Sequence, residues 1–142
     1  SHRAISIANK FPSLLGFTNN AHGLAHGAGK GKGAENKGKW DRYQAECLGY
    51  LIKRLSEIEE GNGSVLDNTC IFYGSSNSKT HNNNNYPLIL AGGKNMGYKH
   101  GQYLTFDRDV PLANLFVTIQ KRMGVKADSF ADSTGSLDVL VA

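Results

Sequence analysis

Two histidines four residues apart, His22 and His26 in "NAHGLAHG", and a third, His81 in "GSSNSKTHNNNNYPLILAGG", are the side chains of this sequence best suited to chemistry. A neutral imidazole ligates transition metals, whereas a protonated one binds anions. Spacing of four would set both rings on one face of a helix, as in many metal sites. Gly23 and Gly27 each disfavour a helix, however, so the segment is read as a loop. Glycines beside a histidine still let backbone approach a bound ion closely. The competing reading of His22 and His26 is a pair of surface groups without a ligand, and that of His81 a loop histidine capping backbone. His100, beside Gly101, has no partner suggested by the sequence and is left outside the site.

Ser75, Ser76, Asn77 and Ser78 follow a short apolar run, at a strand end where open α/β sheets commonly hold ligands. A serine nucleophile there would lack the second glycine of the G-x-S-x-G elbow, and turn formation by Ser and Asn side chains is the competing reason for their presence. "GAGKGKG" has the glycines and lysines of a phosphate-binding loop, yet no apolar strand leads into it.

These groups need elements to position them. Ser1 to Phe11 fits neither a helical nor a strand period, and Pro12 is expected to end whatever forms there. Gly27 to Lys39, with five glycines and four lysines and no apolar period, reads as a flexible loop in which Lys30 and Lys32 could meet an anion. Trp40, Tyr43, Cys47, Tyr50, Leu51, Leu55 and Ile58 recur at spacings of three and four with charges between them. The pattern predicts an amphipathic helix whose Tyr43, Cys47, Leu51 and Leu55 face packs on a strand containing Ile71, with Gly61 as its C-terminal stop. "TCIFYG" and "PLILAGG" have the size and flanks of buried strands. Pro111 opens a second helix with Leu112, Leu115, Phe116, Ile119 and Met123 as its buried stripe, and Gly124 closes it. The tail from Ala127 to Ala142 is expected to wrap the surface and dock a few apolar side chains. The resulting fold class is α/β, one domain over 1–142 with a sheet covered by helices.

Composition narrows the function. With 39% hydrophobic and 20% charged residues the chain is globular, and 16 basic against 12 acidic side chains leave only +4, without the clustered stripe of a nucleic-acid binder. Two cysteines, Cys47 and Cys70, are too few for a disulfide scaffold. No apolar run approaches the roughly 18 residues of a membrane span, and the N-terminus lacks the layout of a signal peptide.

The ordered series "HGLAHG", "DRY" at the start of the predicted helix, "EGNGSVLDNTCIFYGSSNSKTHNNNNYPLILAGG", "HGQYL", "VPLANLFVTIQKRMGV" and "SFADSTGSLDVL" resembles the C-terminal part of the bacterial domain-of-unknown-function 1552 family. That family is distantly similar to the alkaline phosphatase and sulfatase superfamily. The resemblance implies an alkaline-phosphatase-like α/β fold and a divalent metal such as zinc, with His22 or His26 and the later His81 standing at histidine ligand positions; His22, His26 and His81 are the expected metal set, and Ser75, Asn77, Lys30 and Lys32, read from the sequence itself, the expected ligand-binding groups. It implies metal-assisted hydrolysis of phosphate or sulfate esters, the metal polarising the ester oxygen. Around Tyr73 to Ser76 this sequence has glycine and serine where the superfamily carries an acidic residue and a histidine. The superfamily's nucleophile lies in an N-terminal portion that these 142 residues do not match. The expectation is therefore a catalytically incomplete unit, completed by a missing N-terminal half, of a parent protein in the periplasm or outside the cell. Two other readings stand beside it: a non-catalytic module binding an anion or sulfated glycan, and a structural piece that self-associates into a homo-oligomer through unpaired strand edges.

Overall fold

The computed structural model describes residues 11–29, 31–78, 81–107 and 109–142. The Ser1 to Phe11 expectation therefore lies, up to residue 10, outside the described residues, as does Lys30. The chain groups into two compact units, Ser1–Leu51 and Ile52–Ala142. Each is described separately.

The first unit begins with a single-turn helix, α1 (Phe11–Leu14). Pro12 was expected to terminate an element and instead stands inside its first turn, almost completely buried. No intrahelical partner exists for an N–H at that position, so proline loses nothing there. Helix α2 (Ala21–Gly27) replaces the loop expected around His22 and His26. The reason is its N-cap: the Asn20 Oδ1 accepts the Gly23 backbone N–H at 2.7 Å. Such a cap contributes about 1 kcal/mol, enough to offset the roughly 1 kcal/mol that one glycine costs a helix. Leu24, 3% exposed, anchors the opposite side.

Helix α3 (Lys32–Ser56) is 25 residues long and crosses into the second unit. The flexible loop expected over Gly27 to Lys39 is thus helical from Lys32 onward. Two lysines of that stretch are paired along the helix: Lys37 with Asp41, and Lys39 with Glu35 at 2.5 Å. Arg42 and Glu46 continue the series at 2.8 Å. Pairs at this spacing each add a few tenths of a kcal/mol to a helix. The apolar stripe is where it was expected, but its burial is not: no residue of α3 is buried, Tyr50 is 66% and Leu51 46% exposed, and Cys47 is exposed. Amphipathic spacing encodes a helix and a face; it does not supply the surface that covers the face.

The second unit takes up the chain after α3, which stops at Ser56, short of the expected Ile58. Ile58 is drawn away because its carbonyl accepts the Val65 N–H at 2.9 Å. Glu59–Glu60 (β1) and Gly63–Ser64 (β2) form a minimal antiparallel hairpin, and Gly61 (φ +59°) makes its turn rather than capping the helix. A 3-10 turn over Val65–Asn68 leads into β3 (Cys70–Gly74). It is held by the Asp67 carboxylate, which accepts the Ser64 N–H at 2.9 Å and hydroxyl at 3.0 Å. These bonds, with Lys94 nearby, hold the Asp67 carboxyl below the usual carboxylate range.

Strands β3 and β4 (Leu88–Gly92) fall on the two predicted runs and pair antiparallel, Cys70 opposite Gly92 through Gly74 opposite Leu88. The expected fold is corrected in its sheet: the described residues form two small two-stranded antiparallel sheets with helices, a mixed α/β arrangement. The physical reason is the connection. The described residues of the polar segment between β3 and β4 form no crossover helix, and the segment returns the chain as a hairpin. The glycines that end "LILAGG" are both left-handed, and a Cβ on Gly92 would lie 2.2 Å from the Thr69 carbonyl oxygen. Only glycine allows that approach.

Helix α4 (Ala113–Arg122) meets this ribbon through Phe116, whose ring lies edge-on to Phe72 at 5.7 Å and to Phe130 at 5.9 Å. Gly124 (φ +80°) follows its end as expected. The buried side is rotated from the predicted stripe: Ala113, Asn114, Leu115, Val117 and Thr118 are buried, and Met123 is 62% exposed. Asn114 and Thr118 go inward because the tail needs them. Asn114 bonds Thr134 twice, donating to Oγ1 at 3.1 Å and accepting its N–H at 2.8 Å. Thr118 Oγ1 accepts the Leu137 N–H at 2.7 Å. The tail docks as expected and ends in an antiparallel bridge between Val141 and Tyr98, which is 6% exposed.

Candidate functional site

The helix that was not expected gives the histidine pair a definite geometry. On α2, His22 and His26 are one turn apart, their ring centroids 4.5 Å from each other and their planes inclined by 65°. Both side chains are exposed. Asn20 caps this helix and the buried Leu24 anchors it. Two imidazoles at this spacing can take two positions of a zinc coordination sphere, while zinc sites use three or four protein ligands. Among the described residues no group of three or more His, Cys, Asp or Glu side chains comes together in a metal-binding arrangement. The donor set on α2 is half a site, and no reaction step is assigned to a metal held there.

His81 belongs to the second unit, in the loop between β3 and β4, with a left-handed backbone (φ +62°) and an exposed side chain. Ser75 and Asn77 lie in the same loop, and their local bonds are those of turn formation. Asn77 N–H donates to Ser75 Oγ at 3.2 Å, and Ser78 N–H to the Asn82 carbonyl at 2.8 Å. Asn84 N–H donates to Asn82 Oδ1 at 2.9 Å. Because β3 and β4 are antiparallel neighbours, this loop is a hairpin end and not the strand-end crevice of a parallel sheet. Of the two lysines assigned to an anion, Lys32 is exposed at the first position of α3 and Lys30 lies outside the described residues.

His100, left out on sequence grounds, has a structural role: its Nε2 lies 2.6 Å from the Gly92 carbonyl oxygen at the end of β4. A carbonyl only accepts, so the ring carries its hydrogen on Nε2. Its ring also lies beside that of Tyr98, at 6.4 Å, and burial pushes the Tyr98 phenol above the usual tyrosine range. A shallow groove of about 260 Å³ in the first unit is lined by Leu15, Phe17, Lys39, Arg42, Tyr43 and Glu46. Among the described residues no helix is long and apolar enough to cross a membrane. The chain matches no protein-family model, and comparisons with curated proteins and with solved structures likewise gave no match.

Proposed function

We propose that the chain is the C-terminal part of an alkaline-phosphatase-like protein of the domain-of-unknown-function 1552 kind, derived from a metal-dependent hydrolase of phosphate or sulfate esters. In this reading it contributes metal-binding groups and leaves catalysis to be completed by residues outside it. The observation that carries the reading is the capped helix α2, which sets His22 and His26 4.5 Å apart on one exposed face. The order of strand, Ser/Asn/His loop and strand over Cys70–Gly74 and Leu88–Gly92 supports it, because it follows the order of the motifs on which the resemblance rests.

The test is proton NMR of the imidazoles during addition of zinc, combined with an assay of 4-nitrophenyl phosphate and 4-nitrophenyl sulfate. Zinc should shift the His22 and His26 ring signals together, and His22→Ala should abolish the shift at His26. Ester turnover by the chain alone should stay at the level of zinc in buffer. Rings that ignore zinc would remove the metal reading, and zinc-dependent turnover by the chain alone would overturn its incompleteness.

A further inference from the structure

Tyr98 is 6% exposed, and its hydroxyl is a buried polar atom with no hydrogen-bond partner among the described residues. A buried O–H without an acceptor is rare, because the group has given up water and received nothing in return. The ring is firmly seated: a Cβ on Gly93 would come 2.6 Å from it, and the Tyr98 backbone is bridged to Val141. The polar neighbour of the hydroxyl is the Cys70 thiol. Burial, and then this thiol, hold the phenol above the usual tyrosine range, while the Arg122 guanidinium acts on it in the opposite direction. Arg122 is fixed there through its Nε, which donates to the Met96 carbonyl. Cys70 itself is a free thiol at the start of β3, opposite Gly92, and only half-buried. Sulfur is a weak acceptor, so the thiol answers the hydroxyl poorly.

We propose that Cys70 is a site of reversible oxidation by hydrogen peroxide, and that the sulfenic oxygen formed there accepts the Tyr98 O–H. The thiol gives its proton to solvent and the thiolate sulfur attacks one peroxide oxygen. The S–O bond forms as the O–O bond breaks, and the hydroxide that leaves takes up a proton to become water. Sulfur is oxidised and the peroxide reduced by the same electron pair, leaving Cys70 as S–O–H. The new oxygen supplies the acceptor that the buried hydroxyl lacks. Reactive thiols sit in partly exposed surroundings with a cation close by, and this corner of the fold has both, with a fixed donor added. Cys47, by contrast, is exposed on α3, where water serves its neighbours. The proposal does not depend on the hydrolase reading.

The experiment uses the full chain with Cys47→Ser, which leaves Cys70 as its only thiol. After an equimolar dose of hydrogen peroxide, dimedone should add to Cys70, read by peptide mass spectrometry, and dithiothreitol given first should prevent the label. Tyr98→Phe keeps the ring and removes only the hydroxyl. It should shorten the lifetime of the trappable sulfenic acid about three- to tenfold, the worth of one hydrogen bond. Alkylation of the reduced thiol by iodoacetamide, which reads access, should proceed alike in both chains. Should Tyr98→Phe lose its circular-dichroism signal, the NMR ring signals of Tyr98 in the Cys47→Ser chain decide: peroxide must move them and dithiothreitol must return them. A Cys70 that gives no dimedone adduct, a folded Tyr98→Phe chain whose sulfenic acid lives as long, or Tyr98 signals that ignore peroxide would each overturn the proposal.

Discussion

Thr118 is 2% exposed, and its hydroxyl joins α4 to the tail: it donates to the Asn114 carbonyl at 3.0 Å and accepts the Leu137 N–H at 2.7 Å. Thr118→Val keeps the branched shape and removes both bonds. The Asn114 carbonyl retains its place in the helix ladder, so the main loss is the partner of the Leu137 amide. Leaving a part-buried donor unsatisfied costs about 1–3 kcal/mol, and one more buried methyl returns about 0.8 kcal/mol. The net destabilisation should be up to about 2 kcal/mol. At 1.4 kcal/mol per decade, the Leu137 amide should exchange up to roughly thirty times faster, an effect read residue by residue by NMR. With a urea slope of about 1–3 kcal/mol/M the unfolding midpoint should fall by up to about 2 M. Thr118→Ser, which keeps the oxygen, should retain most of the Leu137 protection. Unchanged exchange at Leu137 together with an unchanged midpoint would refute the inference that this hydroxyl holds the tail.

Val117→Ala, at a fully buried position, should cost about 2–3 kcal/mol, and Leu51→Ala on the open face of α3 under about 1 kcal/mol; equal losses in urea denaturation would show the burial pattern to be wrong. Asn20→Ala removes the cap of α2 and should destabilise that helix by about 1 kcal/mol, seen as faster exchange of the Gly23 amide and weaker zinc effects at both histidines. Asp67, held below the usual carboxylate range by Ser64, contributes stability that is present above its unfolded value near about 3.9 and is lost as pH falls through its folded value. The stability gap between wild type and Asp67→Asn should therefore be widest above about pH 5 and shrink toward pH 2–3; a gap independent of pH would contradict the assignment.

The parts of the fold legible in the sequence are those fixed by local chemistry. Strands β3 and β4 are short uncharged runs between turn residues, and α4 lies between Pro111 and Gly124. Helix α2 is masked in the sequence by Gly23 and Gly27, while Asn20, three residues before Gly23, is its readable cap signal. The first two turns of α3 were hidden in the same way, since Glu35–Lys39 and Lys37–Asp41 are helix-spaced pairs inside a glycine-rich stretch. The inward turn of Asn114 and Thr118 could not be read, because Thr134 and Leu137 lie about twenty residues further along the chain. Of the site, the spacing of His22 and His26 was legible and their face-sharing geometry followed once a helix formed. The Ser75 and Asn77 side of the site rested on the strand end of an open α/β sheet, and the direction of strand pairing depends on a connection whose composition does not specify it.

The most direct measurement of the central claim is a calorimetric titration of zinc into the chain at pH 7.5 and pH 5.5, with His26→Ala alongside. Imidazole binds a metal only when neutral, and imidazoles in general titrate near about pH 6.5. Zinc should bind at the higher pH, weaken markedly at the lower, and be lost in His26→Ala. Zinc affinity that is the same at both pH values or unaffected by His26→Ala, or sulfate binding that strengthens on acidification in place of zinc binding, would contradict a metal-binding role for the α2 histidines.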